Sequence, residues 1–211
     1  MKKFIKQLLR ESLLDEAAFT SSHLPEGTGL FAKEQNSNEL VLFNPKTKDA
    51  YGIINFVHNP NLSDFQYVIS VAAEPGFGPL MYELAMMYVA DKHNNFLTPA
   101  RDGNIRDGAW RIWEKMYQRD DVTKKVIDFN NPNFKYDIIF PSEEVGDDER
   151  EEAFNELDKD EQHSLIVFNA GYTMKPNSGY NNLMNVASKY NEKTYDLASK
   201  IGDELWQKAY N

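Results

Sequence analysis

Residues 71–90 read VAAEPGFGPLMYELAMMYVA, and this stretch decides the fold. A short apolar run enters a turn that holds Gly76 and Gly78, and from Leu80 onward the apolar side chains recur at helical spacing. Pro79 suits the first turn of a helix, where its missing N–H would have no intrahelical partner. The stretch therefore predicts a strand, a tight glycine turn and a long helix.

The glycine turn has two interpretations. N–H groups at the start of a helix lack backbone acceptors, so together with the helix dipole they bind anions such as phosphates. A tight corner between a strand and a helix needs glycine as well. The Gly-x-Gly spacing alone does not decide between them, because the third glycine of a dinucleotide fingerprint and the Gly-Lys-Ser/Thr ending of a P-loop are absent.

The residues before the turn predict one helix and several strands. Residues 3–19 repeat apolar side chains at helical spacing, which indicates an amphipathic helix docked on its own domain. Residues 30–35 form a candidate strand. Residues 40–43 and 51–57 are rich in β-branched and aromatic side chains around a turn, which predicts an antiparallel hairpin. Residues 65–72 are nearly continuous in apolar side chains and predict a strand buried on both faces.

The residues after the turn alternate between strands and helices. The long helix is expected to end near residue 93, and the segment FLTPARDG predicts a short strand that stops at its proline. A second helix follows over 104–122, with Trp110, Trp113 and Tyr117 on one face. Strands are predicted in 124–129, 136–141 and 164–174, a loop in 175–183 and a final helix over 192–210. The fold class is mixed α/β (α+β), with a sheet partly antiparallel and partly parallel.

The charge of the chain is concentrated in one segment. The formal net charge is −10, but residues 141–161 hold eleven acidic residues and two basic ones, so the remainder is nearly neutral. Such a run repels nucleic acid and is typical of a solvated insertion, here 141–163; a docking site for a basic partner is the alternative. Nucleic acid is therefore an unlikely partner.

Composition also bears on metals, compartment and membranes. The chain has no cysteine, and its four histidines follow no ligand pattern, so no metal site is expected. No apolar run approaches the roughly 20 residues that cross a bilayer, and no signal peptide follows Met1. We expect a cytoplasmic protein with no membrane partner.

The order of hairpin, buried strand, glycine turn and long helix resembles the GNAT superfamily of acetyl-CoA-dependent N-acetyltransferases. AEPGFGPLMYELA falls where that family carries its acyl-CoA pyrophosphate loop, and AWRIWEKMY resembles the helix that often ends in its Tyr-Glu-Lys pattern. The likeness covers roughly residues 28–140. The chain also resembles acyltransferase-like proteins encoded by bacteriophages, which would place it in the host cytoplasm or the virion. It differs in Ala73, where the family has Arg or Gln, and in Trp113, where many members have a tyrosine.

The resemblance implies a reaction and its residues. Acetyl-CoA would be the co-substrate, and an unidentified amine, a protein among the candidates, would accept the acetyl group directly. Strand residues Val71 and Ala72 would contact the pantetheine arm and the thioester carbonyl. Four backbone N–H groups of the turn and first helical turn would hold the pyrophosphate: those of Gly76, Phe77, Gly78 and Leu80. Tyr117 would protonate the leaving thiolate, and Glu74 would be the base, with His58 as another candidate.

Two other functions stay open at this stage. Ala73, Pro79 and Trp113 also fit a GNAT-like fold that has lost catalysis and serves as a binding or assembly protein. A third hypothesis makes the acidic segment a mimic of nucleic acid. The expected organisation is a helical segment over 1–24, a GNAT-like core over 25–175 that contains the acidic insertion, and a loop and helix over 176–211.

Overall fold

A computed structural model describes residues 24–34, 37–100, 105, 107–128, 131, 134–135 and 150–210. Within these residues seven strands are found: β1 (Gly29–Glu34), β2 (Asn38–Asn44), β3 (Asp49–His58), β4 (Phe65–Ala73), β5 (Phe96–Thr98), β6 (Thr123–Val126) and β7 (Ala170–Thr173). Six helices accompany them: α1 (Gly78–His93), α2 (Asp107–Gln118), α3 (Arg150–Glu156), α4 (Lys159–Phe168), α5 (Ser178–Ala187) and α6 (Glu192–Tyr210). The predicted helix over 3–19 and the predicted strand over 136–141 lie outside the described residues.

The seven strands form one mixed sheet in the order β1-β2-β3-β4-β5-β7-β6. Neighbouring strands run antiparallel except β4 and β5, which are parallel. Helices cover both faces, because α1 packs in one hydrophobic core and α6 in another on the opposite side. The predicted fold class is confirmed, and the topology is consistent with a GNAT-like α+β fold.

Helix α1 is the centre of the larger core. All its residues from Leu80 to Val89 are buried, so no face of this stretch meets solvent, which is typical of a helix enclosed by other elements. It lies very close to β3 at Gly52, where an added Cβ would stand 2.6 Å from the Met81 side chain. Only glycine permits this approach without a shift of helix or strand.

The opposite face of the sheet is covered by α6. The predicted helix has the same bounds in the structure, and its apolar face packs on β2, β3 and β4. Leu205 is buried there and Leu197 and Ile201 are partly buried, beside Val41 and Ile53 of the sheet. Gly202 allows this contact, since an added Cβ would approach Ile53 to 2.9 Å.

The strand predictions for the first half of the chain are confirmed. The hairpin is β2 and β3, residues 65–72 lie in β4, and residues 30–34 lie in β1. One detail differs, because the β3–β4 register shifts between Asn55 and Phe56 and leaves Ile69 of β4 without an opposite residue. Ile69 is 52% exposed, so β4 is not buried on both faces along its whole length.

The predicted strand over 164–174 is wrong in its first half, since residues 164–168 belong to α4. Asp158 accepts hydrogen bonds from the backbone N–H of Asp160 and Glu161, and the Glu161 side chain accepts from the N–H of Asp158. This capping box starts a helix that the β-branched run alone does not reveal. Helix α4 then buries Leu165, and only Ala170–Thr173 is a strand.

The predicted loop over 175–183 is also wrong from residue 178 onward, where α5 begins. The Asn177 side chain accepts a hydrogen bond from the Tyr180 N–H at 2.9 Å and caps the helix. Tyr180 and Leu183 are buried in the α1 core. The Asn-rich composition that indicated a loop therefore includes a helix cap and an amphipathic helix.

The described part of the acidic segment, from residue 150, belongs to α3 and the start of α4. Several of its side chains are exposed, including those of Glu152 and Asp160, as expected of a solvated face. Within the described ranges, no helix combines the length and the apolar character that crossing a membrane requires.

One buried ion pair connects α1 to the turn after α2. The Arg119 guanidinium donates to the carboxylate of Glu83, whose side chain is only 8% exposed, and it holds Asp121 through two further bonds of 2.9 and 2.7 Å. Burial raises the pKa of Glu83, and Arg119 opposes that rise. The same guanidinium lowers the pKa of Asp121. Arg119 therefore keeps a charged carboxylate inside the core.

We predict that Arg119→Ala lowers the free energy of unfolding by about 3 kcal/mol, because it leaves the Glu83 charge buried without a cation. The deficit is expected to shrink as the pH falls, since a protonated Glu83 needs no cation. Urea unfolding followed by circular dichroism measures both effects. Adding Glu83→Gln to Arg119→Ala should restore much of the loss, and the exposed Lys115→Ala should change stability by less than about 0.5 kcal/mol. An equal loss of stability in Arg119→Ala and in Lys115→Ala would contradict a stabilising ion pair.

Candidate functional site

Among the residues that the structure describes, the parallel pair of β4 and β5 is short. Strand β5 pairs with β4 only over three residues, the last pair being Tyr67 and Thr98. Pro99 follows at once, and proline offers no N–H to continue the ladder, as the sequence predicted. Among the residues that the structure describes, no strand pairs with β4 beyond Tyr67 on this side, although β4 continues to Ala73.

The direction of the β4 backbone groups follows from one hydrogen bond. The N–H of Glu74 donates to the carbonyl of Tyr51 at 3.0 Å, so this opposite pair on β3 and β4 is a hydrogen-bonded one. Because such pairs alternate along an antiparallel ladder, Ala72 turns its N–H and carbonyl toward β3, whereas Val71 and Ala73 turn theirs toward the side on which β5 lies. The two strand residues implied by the GNAT resemblance therefore turn their backbone groups to opposite sides of β4.

Residues 74–77 form a tight turn at the end of β4. The N–H of Phe77 donates to the carbonyl of Glu74 at 3.0 Å, Pro75 is the second residue, and Gly76 is the third with a φ of +94°. These are the features of a type II β-turn, which requires a positive φ at its third residue. Gly76 is therefore explained by the turn itself, and the Phe77 N–H is used inside it.

Helix α1 starts directly after this turn. Phe77 is its N-cap, no side chain caps it, and its first turn holds no acidic residue. The first intrahelical bond runs from the Met81 N–H to the Phe77 carbonyl at 3.1 Å, so the N–H groups of Gly78 and Leu80 precede it. Pro79 between them has no N–H. The helix start therefore presents donors and the positive end of its dipole, with no carboxylate in its first turn to neutralise them.

Gly78 differs from Gly76 in that the fold does not require it. Its φ is not positive, and among the described residues an added Cβ would meet the Ile112 side chain alone, at an ordinary 3.7 Å. A larger residue would fit the backbone here. The absence of a side chain at this position leaves room in front of the first helical turn.

The two candidate bases lie at opposite ends of the sheet. Glu74 is half-buried opposite Tyr51, beside the turn, whereas His58 is exposed at the far end of β3, opposite Gln66. Seven residues of strand separate Tyr51 from His58, or about 23 Å. His58 was expected to lie near the predicted site, and this expectation is wrong. Glu74 is the candidate base that lies beside the glycine turn.

The two aromatic residues of α2 have different surroundings. Trp113 is 1% exposed and its ring packs against those of Tyr82 and Tyr172, with centroids 4.9 and 5.0 Å away, so it is a core residue. Tyr117 is half-buried, with its ring edge-on to His163 of α4 at 5.3 Å and with Lys124 of β6 5.8 Å from its centroid. The described ring contacts of Tyr117 thus lie with α4 and β6.

The site therefore brings together part of the predicted set. Glu74, Gly76 and Gly78 lie together at the end of β4. Ala73, which the sequence marked only as a departure from the family pattern, shares the direction of Val71. Strand alternation could have pointed to Ala73, but only once the hydrogen-bonding phase of the β3–β4 ladder is known. Within the described ranges, no three His, Asp or Glu side chains form a group that would hold a metal ion.

The fold and the site define a mixed α+β chain in which the longer strand of a parallel pair leads into a donor-bearing helix start. No protein-family model, curated protein or solved structure matches the chain.

We predict that Gly76→Ala lowers the free energy of unfolding by about 1–2 kcal/mol, the cost of a left-handed conformation for a residue with a Cβ. Thermal or urea unfolding measures it. Gly108→Ala is the matched control, because Gly108 is an exposed helical residue with open space around it, and alanine should stabilise α2 by up to about 1 kcal/mol. Equal effects of the two substitutions would mean that the type II turn does not require glycine.

Proposed function

We propose that the protein is an acyltransferase of the GNAT type, which transfers an acetyl group directly from acetyl-CoA to an amine. The observation that carries the proposal is the end of β4, where the parallel pair stops at Tyr67 and Thr98 and α1 begins uncapped. In this proposal an extended pantetheine arm lies beside the end of β4, and the helix start receives the phosphates that follow it. One end of β4 would thus bind both halves of coenzyme A.

The pyrophosphate would be held by backbone donors. Gly78 and Leu80 offer the N–H groups that precede the first intrahelical bond, and Gly76 offers that of the turn. The Phe77 N–H already donates to Glu74, so we assign it no phosphate. Three amides and the helix dipole form a smaller cradle than the four amides that the resemblance implied.

The acyl transfer itself needs alignment more than covalent help. The amine nitrogen attacks the thioester carbonyl carbon, the carbon–sulfur bond breaks, and the amine proton and the thiolate require a base and an acid. A backbone N–H on the β5 side of β4 would polarise the carbonyl, which favours Ala73. In this proposal Glu74 is the base and Tyr117 the acid. An amine acceptor, protein or small molecule, and a cytoplasmic location belong to the same proposal.

Acetyl-CoA at about 100 times its dissociation constant should stabilise the protein by about 2.7 kcal/mol, a rise in Tm of roughly 5–10 °C. Gly78→Ala should keep this shift, since it retains the N–H and the Cβ fits. Gly78→Glu should abolish it, because a carboxylate would stand where the phosphates bind. Differential scanning fluorimetry measures all three.

Gly108→Glu is the matched control for adding a carboxylate to a glycine at an exposed helical position, and it should leave the acetyl-CoA shift unchanged. Unfolding of the unliganded variants separates lost binding from lost stability. A glutamate in the first turn of α1 favours the helix dipole, so Gly78→Glu should remain folded. No shift for the wild type at millimolar acetyl-CoA would contradict the proposed function.

A second candidate function is a GNAT-like binding or assembly protein without catalysis. The observation that favours it is the position of the two α2 aromatics, since Trp113 fills the core and the described ring contacts of Tyr117 lie with α4 and β6. Such a protein would bind acetyl-CoA and release no thiol.

If Tyr117 is the acid, Tyr117→Phe should lower kcat by about a hundredfold or more and leave the acetyl-CoA thermal shift intact. Release of free coenzyme A thiol, followed with a panel of amines, measures the turnover. His163→Ala removes the ring that Tyr117 contacts but keeps the phenol, so it should retain most of the rate. Binding without thiol release from any amine would favour the second function, and a wild-type rate in Tyr117→Phe would remove Tyr117 from the mechanism.

A further inference from the structure

A cavity of about 630 Å³ lies at the end of α1 far from the glycine turn. Its lining includes one polar side chain from each of four successive strands: Glu34 of β1, Asn38 of β2, His58 of β3 and Gln66 of β4. Lys92 and His93 from the last turn of α1 and Asn95 just after it form the other wall. The volume is within the range of cavities that hold small molecules.

The amides of this cavity are fixed in position by their own hydrogen bonds. Asn38 Nδ2 donates to Gln66 Oε1 at 2.8 Å, and Asn95 Nδ2 donates to the Ser63 carbonyl at 3.2 Å. The oxygens of Asn38 and Asn95 remain as acceptors and the Nε2 group of Gln66 as a donor. Gln66 is 2% exposed, so its amide is held rigidly in the sheet. Donors and acceptors thus alternate in the cavity lining.

His93 adds a buried nitrogen to this lining. Its Nε2 atom is buried and makes no hydrogen bond with the described residues, and its nearest ionic neighbour is Glu34 Oε1 at 3.6 Å. Buried polar atoms in folded proteins nearly always have a hydrogen-bond partner. Because the accessible surface of this nitrogen is below 1 Å², a ligand in the cavity does not reach it, and the polar contacts come from the other lining residues.

The charged groups of the described lining are one carboxylate, Glu34, and one ammonium group, Lys92. Lys92 pairs with Asp91 at 2.8 Å, and Glu34 accepts a hydrogen bond from the Tyr88 hydroxyl. The negative end of the α1 dipole and Glu34 both disfavour an anion. Val57 is the one apolar residue of the described lining, so the cavity offers no extended apolar face to a nucleobase or a lipid chain.

We propose that this cavity binds a neutral polyhydroxylated molecule of the size of a mono- or disaccharide. Each hydroxyl group both donates and accepts, which matches a lining of alternating donors and acceptors without net charge. The site lies at the other end of β4 from the glycine turn, about 23 Å away along the strand. It is therefore a second ligand site, and its occupant is different in kind from a coenzyme A thioester.

The test uses the full chain with D-glucose and maltose as probes, measured by saturation-transfer difference NMR and titration calorimetry. We expect saturable binding of at least one sugar at up to about 100 mM. His58→Ala and Gln66→Met should each weaken it by about threefold to tenfold, the effect of one or two lost hydrogen bonds. Lys200→Ala on the exposed side of α6 is the control and should bind as the wild type does.

His58 is exposed, so His58→Ala should fold normally even if Gln66→Met does not. Acetyl-CoA should not compete with either sugar, which separates this site from the glycine turn. Three results would overturn the proposal: no saturable binding of either sugar, sugar binding that both cavity variants retain in full, or binding of inorganic phosphate or putrescine at this cavity in place of the sugars.

Discussion

The close contact between α1 and β3 is the constraint on which the rest of the structure depends. Because Gly52 has no side chain, Met81 lies directly on the strand, and the helix can be buried along ten successive residues. A helix enclosed in this way needs apolar neighbours all round, which the sheet, α2 and α5 provide. Its burial fixes both of its ends, one over the glycine turn and the other over the polar cavity.

The difference in length between β4 and β5 depends on one proline. Pro99 ends β5 after three residues, whereas β4 runs on toward the glycine turn. The bulge at Ile69 changes the β3–β4 register before the strand reaches that turn, and the ladder phase beyond it turns Ala72 toward β3 and Ala73 toward the β5 side. Within the described residues, the start of α1 therefore lies at the end of β4, beyond the last pair of β4 and β5.

The sequence predicts most of this fold because its elements carry local signals. The hairpin, β4, α1 and the short β5 follow from periodicity and from the positions of Pro79 and Pro99, which act on their own backbone. Residues 164–168 and 178–183 mislead because their structure depends on a cap at Asp158 or Asn177 and on burial against distant elements. At the site, the turn residues are adjacent in the chain and so are found. Other features of the site depend on contacts between distant parts of the chain, which no local stretch of sequence encodes. These are the hydrogen-bonding direction of Ala72, the distance of His58 from the glycine turn and the surroundings of Tyr117.

The two glycines of the turn separate the structural explanation from the functional one. Gly76 satisfies a type II turn that would need glycine in a protein with no ligand at all. Gly78 has ordinary backbone and space for a side chain, so neither strain nor packing accounts for it. Natural helix starts favour side chains that cap their first N–H groups, and α1 has none. An uncapped helix start behind a glycine that its described contacts do not require is the combination on which the proposed phosphate site rests.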